Sequence, residues 1–289
     1  MNLQFGWWDH FEQRSDMPLW QQYDERIELI RHAEELGFYG YHIAEHHFTT
    51  LDMAPSPIVF LAAAARRTSK IRLGTMVLCL PLYHPTRLIQ EFCMIDQLSH
   101  GRFMPGVGRG VRDPEHELFG SYAGNLQRAA EQGMNGLGRA TRDMIDDYWR
   151  IWEAGRARND PRFLGEDPLV GSTRHLVIAE SDAEAVSLAR RAFVAYAEHF
   201  HCTDPRLGPH ASPAALPMPG GTNFDTMREA GQVLAGSIAT VRDTLRRYQT
   251  TVGPKHNYLC GAFQWGDLTT DEARRSLDLF AADVRPALT

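Results

Sequence analysis

The chain has 289 residues, 43% of them hydrophobic and 23% charged, an ordinary globular usage that excludes a disordered chain. Its formal net charge of −6 gives no electrostatic basis for a nucleic-acid or anionic-membrane partner. No apolar stretch approaches the ~18 residues of a membrane span, and the first residues, Met-Asn-Leu-Gln-Phe-Gly-Trp-Trp, lack the basic and apolar regions of a signal peptide. Cys79, Cys93, Cys202 and Cys260 are far apart, with no C-x-x-C pair. Cys79 and Cys260 sit in apolar runs, where a thiol behaves as a small hydrophobe. Such usage predicts a reducing, cytoplasmic location.

Strand and helix signals alternate over the first 110 residues. Leu3–Trp8 reads as a strand, and Ile27, Ile30, Ala33 and Leu36 recur at helical spacing before Gly37 stops the helix. Tyr39–Ala44 is a second strand, Pro57 opens a helix through Ala65, and Ile71–Leu80 is a third strand. Pro85 starts a helix to about Leu98, and Phe103–Val107 is a fourth strand. Short connections between alternating elements predict a parallel sheet with right-handed crossovers, either doubly wound or a β/α barrel. A barrel is favoured because the strands end together in polar, ligand-capable residues.

The rhythm falters after Gly110. Arg128–Gln132 reads as helix, Met134–Gly138 as a very short strand, and Arg139–Ala154 as a helix with Ile145, Trp149 and Trp152 on one side. The arginines from 139 to 162 alternate with acidic residues, a solvated face. Arg174–Ala179 is a strand and Ala183–His199 a helix. Proline and glycine crowd 203–223, and 203–235 as a whole is read as a lid or insertion loop inside a single domain spanning 1–289. Ser237 caps a helix to Tyr248, Asn257–Trp265 is the last strand, and Asp271–Val284 the last helix. That makes seven strands at most, short of a complete barrel.

Three stretches carry candidate chemistry. Glu45-His46-His47-Phe48 ends the second strand, where adjacent residues point to opposite faces, so the two histidines do not share a metal. One imidazole in the barrel mouth is a candidate proton-transfer or substrate-orienting group, and the competing reading is a pair of structural histidines. Gly106-Val-Gly108-Arg109-Gly110 is G-x-G-x-G, not the dinucleotide fingerprint. Its glycines admit close backbone approach and Arg109 suits a phosphate, against the alternative of a tight turn with a surface arginine. Asp96 and Arg102 lie before the fourth strand, on the face that serves stability, and read as a structural pair. His199, His201, Cys202 and His210 match no zinc spacing, so no metal is expected.

In combination these stretches resemble the luciferase-like flavin-dependent monooxygenase family. The resemblance rests on Ala44-Glu-His-His-Phe48, on Ile71-Arg-Leu-Gly-Thr75 running into Leu80-Pro-Leu-Tyr-His-Pro85, and on Asp96-Gln-Leu-Ser-x-Gly-Arg102 followed by Gly106-x-Gly-Arg-Gly110. It is specific over residues 1–120 and weaker beyond, through Ala179-Glu-Ser-Asp182, Ala235-Gly-Ser237 and Tyr258–Gly266. It implies a TIM-type β/α barrel with flavin at the carboxyl ends of the strands. His46 is then the catalytic histidine, and Arg109 with Gly110 receives the flavin phosphate. Met76 and Val77 lie against the flavin ring, in a segment where the family often has a non-prolyl cis peptide. Trp7 or Trp8 faces the pocket.

The same resemblance implies reduced FMN as cosubstrate, with a deazaflavin as the alternative cofactor. A separate flavin reductase would supply the electrons, a small organic molecule would be the substrate, and the chain would form a homodimer. One departure stands out. Phe119–Asn125 passes almost directly into Arg128–Gly133, so about one βα unit is missing after the fourth strand, together with a loop whose hydroxyls hold the phosphate in the family. Ser121 is the candidate substitute. A shortened barrel also admits a second reading, a non-catalytic flavin-binding or accessory protein.

Overall fold

The computed structural model describes residues 3–110, 113–120, 141–160, 168–201 and 223–288. Its first half runs β1 (Gln4–Asp9), α1 (Leu19–Glu35), β2 (Gly40–Ile43), α2 (Pro57–Ala65), β3 (Arg72–Thr75), β4 (Leu78–Cys79), α3 (Pro85–Ser99), β5 (Phe103–Met104) and β6 (Val107–Gly108). The second half runs α4 (Asp113–Leu118), α5 (Thr141–Ala157), β7 (Gly171–Ile178), α6 (Asp182–His201), α7 (Phe224–Glu229), β8 (Val233–Gly236), α8 (Ile238–Val252), β9 (Tyr258–Ala262) and α9 (Thr270–Leu279).

Local chemistry sets the boundaries. Pro57 and Pro85 occupy the first turns of α2 and α3, where a missing N–H costs no helix bond. After α3, His100 and Gly101 take left-handed backbone and return their amides to Gln97 and Asp96 carbonyls. Ser237 caps α8, and Thr269 with Glu272 forms a capping box on α9.

The main sheet has seven parallel strands in the order β5-β3-β2-β1-β9-β7-β8. One face is built from Phe5, Trp7, Tyr41, Ile43, Leu73, Leu176, Leu234 and Leu259, packed against α1, α2, α8 and α9 through Leu29, Phe60, Val241 and Leu277. On the other face Val177, Val233, Ala235 and Ala262 pack against Ala185, Ala189 and Phe193 of α6. Crossover handedness explains this split. The steps from β1 to β5 run one way across the sheet, and their helices lie on the outer face. The step from β7 to β8 runs the other way, so a right-handed crossover puts α6 on the inner face. The last step returns across β7 to β9, and α8 is again outside.

The sheet is open, with β5 and β8 at its two ends and no ladder joining them among the described residues. This is an incomplete β/α barrel. The strand count of seven agrees with the sequence reading, but one member differs. Val233–Gly236 is a strand that the sequence analysis merged into the lid, whereas Met134–Gly138 lies outside the described residues. The described part of the 203–235 segment holds regular structure. Phe224–Glu229 is a helix, capped by Asn223 and anchored by buried Phe224 and Met227, and β8 follows it on the edge of the sheet. Residues 203–222 of that segment lie outside the described residues.

Arg102 is also not paired with Asp96. It is buried, and its guanidinium donates to the Ala65, Thr68, Ile71 and Ser99 carbonyls and to Thr68 Oγ1. The fork geometry of the guanidinium suits several fixed carbonyls better than one carboxylate here. Among the described residues no helix is long and apolar enough to cross a membrane.

Candidate active site

The third and fourth strands of the sequence reading are each interrupted. β3 ends at Thr75 and resumes as β4 at Leu78, and β5 ends at Met104 and resumes as β6 at Val107. The two continuations pair with each other, Leu78 with Val107 and Cys79 with Gly108. The peptide between Met76 and Val77 is cis, in the segment where the family resemblance placed one. Gly106 seats this break. Its amide donates to Thr75 Oγ1 at 3.0 Å, that hydroxyl donates to the Gly106 carbonyl at 2.7 Å, and the same carbonyl accepts the Leu78 amide at 2.9 Å. A Cβ at Gly108 would lie 2.6 Å from Val77 Cγ2, so only glycine allows β6 to run so close beneath that side chain.

Glu45, fully buried at the end of β2, fixes the segment after the cis bond. One oxygen accepts the Cys79 amide, and the other accepts the Tyr83 hydroxyl at 2.6 Å and lies 2.8 Å from His47 Nε2. Burial pushes the Cys79 thiol and the Tyr83 phenol up, with the Glu45 charge adding to it, so both stay protonated.

His46 follows on the same loop. Its amide donates to Asp52 Oδ2 at 3.0 Å, and Nδ1 lies 3.2 Å from Glu115 Oε1. Glu115 Oε1 also accepts the His47 amide at 3.1 Å. Burial holds the Asp52 carboxyl well above the usual range. His46 Nε2 makes no hydrogen bond among the described residues. Its ring stands 5.4 Å from that of His10, which abuts Trp8 at 4.4 Å. Trp8 is thus the tryptophan that faces the inner side, with His175 at 5.5 Å, whereas Trp7 is buried in the outer core. Tyr196 and Trp265 close this cluster around His175, whose burial lowers it to about 4 and keeps it neutral.

Arg109 leaves β6 half-buried and forms no ion pair among the described residues. Gly110 is in the left-handed region, φ 76°, where any Cβ would come within 3.0 Å of His116 Nε2 and 3.2 Å of Cys79 Sγ. The fold therefore brings His46, Met76, Val77, Arg109 and Gly110 to the carboxyl ends of adjacent strands, tied by the Glu45–Cys79 bond and the Cys79–Gly108 pairing. Ser121 lies outside the described residues. Glu115 was missed by sequence reasoning, because Asp113-Pro-Glu-His-Glu-Leu118 reads as an ordinary charged stretch. Glu45 opens the Glu45–Phe48 motif, but nothing in the sequence assigns it a role.

A family model described as luciferase-like monooxygenase matches residues 3–133. The uncharacterized protein y4wF of Sinorhizobium fredii is 30% identical over an alignment covering 93% of this chain and 92% of that protein. The chain belongs to the luciferase-like monooxygenase family. It is accordingly an oxidoreductase of that family. The y4wF alignment runs over 324 positions and takes in 93% of the 289 residues here, so roughly 55 of its positions have no counterpart in this chain. The oxygenase component of the flavin-dependent trigonelline monooxygenase of Acinetobacter baylyi is 31% identical over 160 residues, 54% of this chain and 41% of that protein. Among solved structures, the oxygenating constituent of 3,6-diketocamphane monooxygenase of Pseudomonas putida, in complex with FMN, superposes with a TM-score of 0.68. The two share 16% identity over 99% of both chains, a likeness of fold.

Proposed function

We propose that the protein is the oxygenase component of a two-component FMN-dependent monooxygenase, acting on a small organic substrate with reduced FMN from a separate reductase. The observation that carries this reading is that His46, whose Nε2 makes no hydrogen bond among the described residues, and Arg109, half-buried and without an ion pair among them, lie at one end of the sheet. The residues present fit the cofactor. Val77, 37% exposed, offers an apolar surface beside Gly108 of β6, and Gly110, in left-handed backbone, follows Arg109 directly.

Bound in reduced form, FMN supplies the electrons that activate oxygen for insertion of one atom into the substrate. Met76 and Val77 pack the ring, Arg109 with Gly110 receives the phosphate, and His46 Nε2 takes up and returns a proton. Glu45 holds the Cys79 amide, the Tyr83 hydroxyl and the His47 ring, and so keeps His47 out of the reaction. The name of the Acinetobacter relative, an oxygenase component, supports a reductase partner. Exposed Val59 on α2 and Ile89 and Met94 on α3 support a homodimer through these helices, and the free buried thiols Cys79 and Cys260 support a cytoplasmic location.

The test compares wild type with His46→Ala for FMN affinity and for oxygen-dependent turnover with a reductase across a substrate panel. Turnover is expected to fall roughly 100-fold or more, as for loss of a general base, with affinity nearly unchanged. Unchanged turnover removes His46 from the reaction, and binding of deazaflavin in place of FMN reassigns the cofactor.

A further inference from the structure

His46 and His47 are neighbours in sequence, yet their rings are held by opposite nitrogens. His47 Nε2 lies 2.8 Å from Glu45 Oε1, an oxygen already accepting the Tyr83 hydroxyl at 2.6 Å. His46 instead presents Nδ1, 3.2 Å from Glu115 Oε1. That oxygen also accepts the His47 amide at 3.1 Å, so it is fixed as an acceptor from two directions, and its side chain is 3% exposed. Carboxylate oxygens only accept, so each ring nitrogen facing one must carry hydrogen. Neutral His47 is then the Nε2–H tautomer, with its Nε2 occupied. Neutral His46 is the Nδ1–H tautomer, with the Nε2 lone pair unused.

We infer that Glu115 is the positioning residue of this site, holding His46 as the Nδ1–H tautomer so that Nε2 is the atom that accepts the reaction's proton. The inference rests on the proposed role of His46 and explains why His46, and not His47, has that role. Glu115 reaches the loop from α4, 69 residues along the chain, so docking of α4 and arming of the base are one event. The Asp52 bond to the His46 amide sets the backbone, leaving the ring orientation to Glu115. The hydrogen bond made by one ring nitrogen of a reactive histidine generally decides which nitrogen carries the proton.

The experiment is a ¹⁵N–¹H correlation spectrum of the imidazole rings at a pH where both histidines are neutral. Wild type is expected to show Nδ1–H for His46 and Nε2–H for His47. Glu115→Ala should release His46 into a mixture of tautomers and leave His47 unchanged. Glu115→Gln, whose amide oxygen can accept the same two hydrogens, should retain the wild-type pattern. Turnover should fall roughly 10- to 100-fold in Glu115→Ala, within the range of general-base catalysis, with no further fall when His46→Ala is already present. An Nε2–H His46 in wild type overturns the inference without recourse to any variant, as does an intact Nδ1–H form in folded Glu115→Ala. If His46→Ala abolishes turnover while wild-type His46 is Nε2–H, the functional reading stands and the role of Glu115 falls. Full turnover in His46→Ala, with the Nδ1–H form present, removes the proton-accepting role and the reading on which it rests.

Discussion

Gly106 stands where a Cβ would lie 1.9 Å from the Thr75 carbonyl oxygen, and Thr75 Oγ1 answers by donating 2.7 Å to the Gly106 carbonyl. This contact ties the end of β3 to the break between β5 and β6. Gly106→Ala cannot be relieved by a rotamer change, because the obstacle is backbone. It is expected to destabilise the fold by about 1–3 kcal/mol and to weaken FMN binding, read from denaturant midpoints and a flavin titration.

Arg109 has no protein partner to lose among the described residues. Arg109→Ala should therefore leave the melting temperature of the flavin-free protein near wild type. Loss of a charge-assisted bond worth about 1.5–3 kcal/mol should raise the Kd for FMN roughly 10- to 150-fold. Fluorescence titration of both proteins checks the split. A large stability loss would give Arg109 a structural role instead.

Glu12 is buried, 2% exposed, and burial, with a smaller contribution from Asp9, raises its carboxyl from the ordinary 4.5 to about 8. The folded chain keeps a proton that the unfolded chain releases, so this group's stabilisation is complete below pH 4.5 and lost as pH rises to about 8. At 1.36 kcal/mol per unit the window spans about 3–5 kcal/mol. Glu12→Gln should remove that slope. Its advantage in melting temperature over wild type should grow from pH 4.5 to 8 and then level off.

Arg102 binds carbonyls of α2, α3 and the segment before β3, and so ties the first βα units together. Each stranded acceptor costs roughly 1–3 kcal/mol before water relieves it. Arg102→Ala is expected to cost about 3 kcal/mol overall in urea unfolding, and Arg102→Lys to recover little, because an ammonium lacks the planar fork.

The first four βα units were legible because proline and glycine punctuate short apolar runs whose period is plain. Pro57, Pro85 and Gly101 mark real helix boundaries, and the Glu45–Phe48 and Gly106–Gly110 stretches fall at the ends of real strands. Lateral order was not legible. Nothing in the sequence of β7, β8 and β9 tells that the last strand returns across β7, because parallel strands buried on both faces look alike in any order. The four-residue β8, sitting behind a proline-rich segment, lacked the length to announce itself. For Arg102 the sequence offers Asp96 close by as a partner, whereas the five backbone and hydroxyl acceptors it binds are brought together only by folding. Glu115 was invisible for the same reason. Its meaning depends on His46, 69 residues earlier.

The measurement that bears most directly on the central claim is an anaerobic titration of the wild-type protein with photoreduced FMN, followed by admission of oxygen. Saturable one-to-one binding in the micromolar range, weakened by Arg109→Ala, with oxygen uptake that couples to product when substrate is supplied, is the expected result. Absence of binding for reduced and oxidised FMN and for a deazaflavin would contradict a flavin-dependent oxygenase.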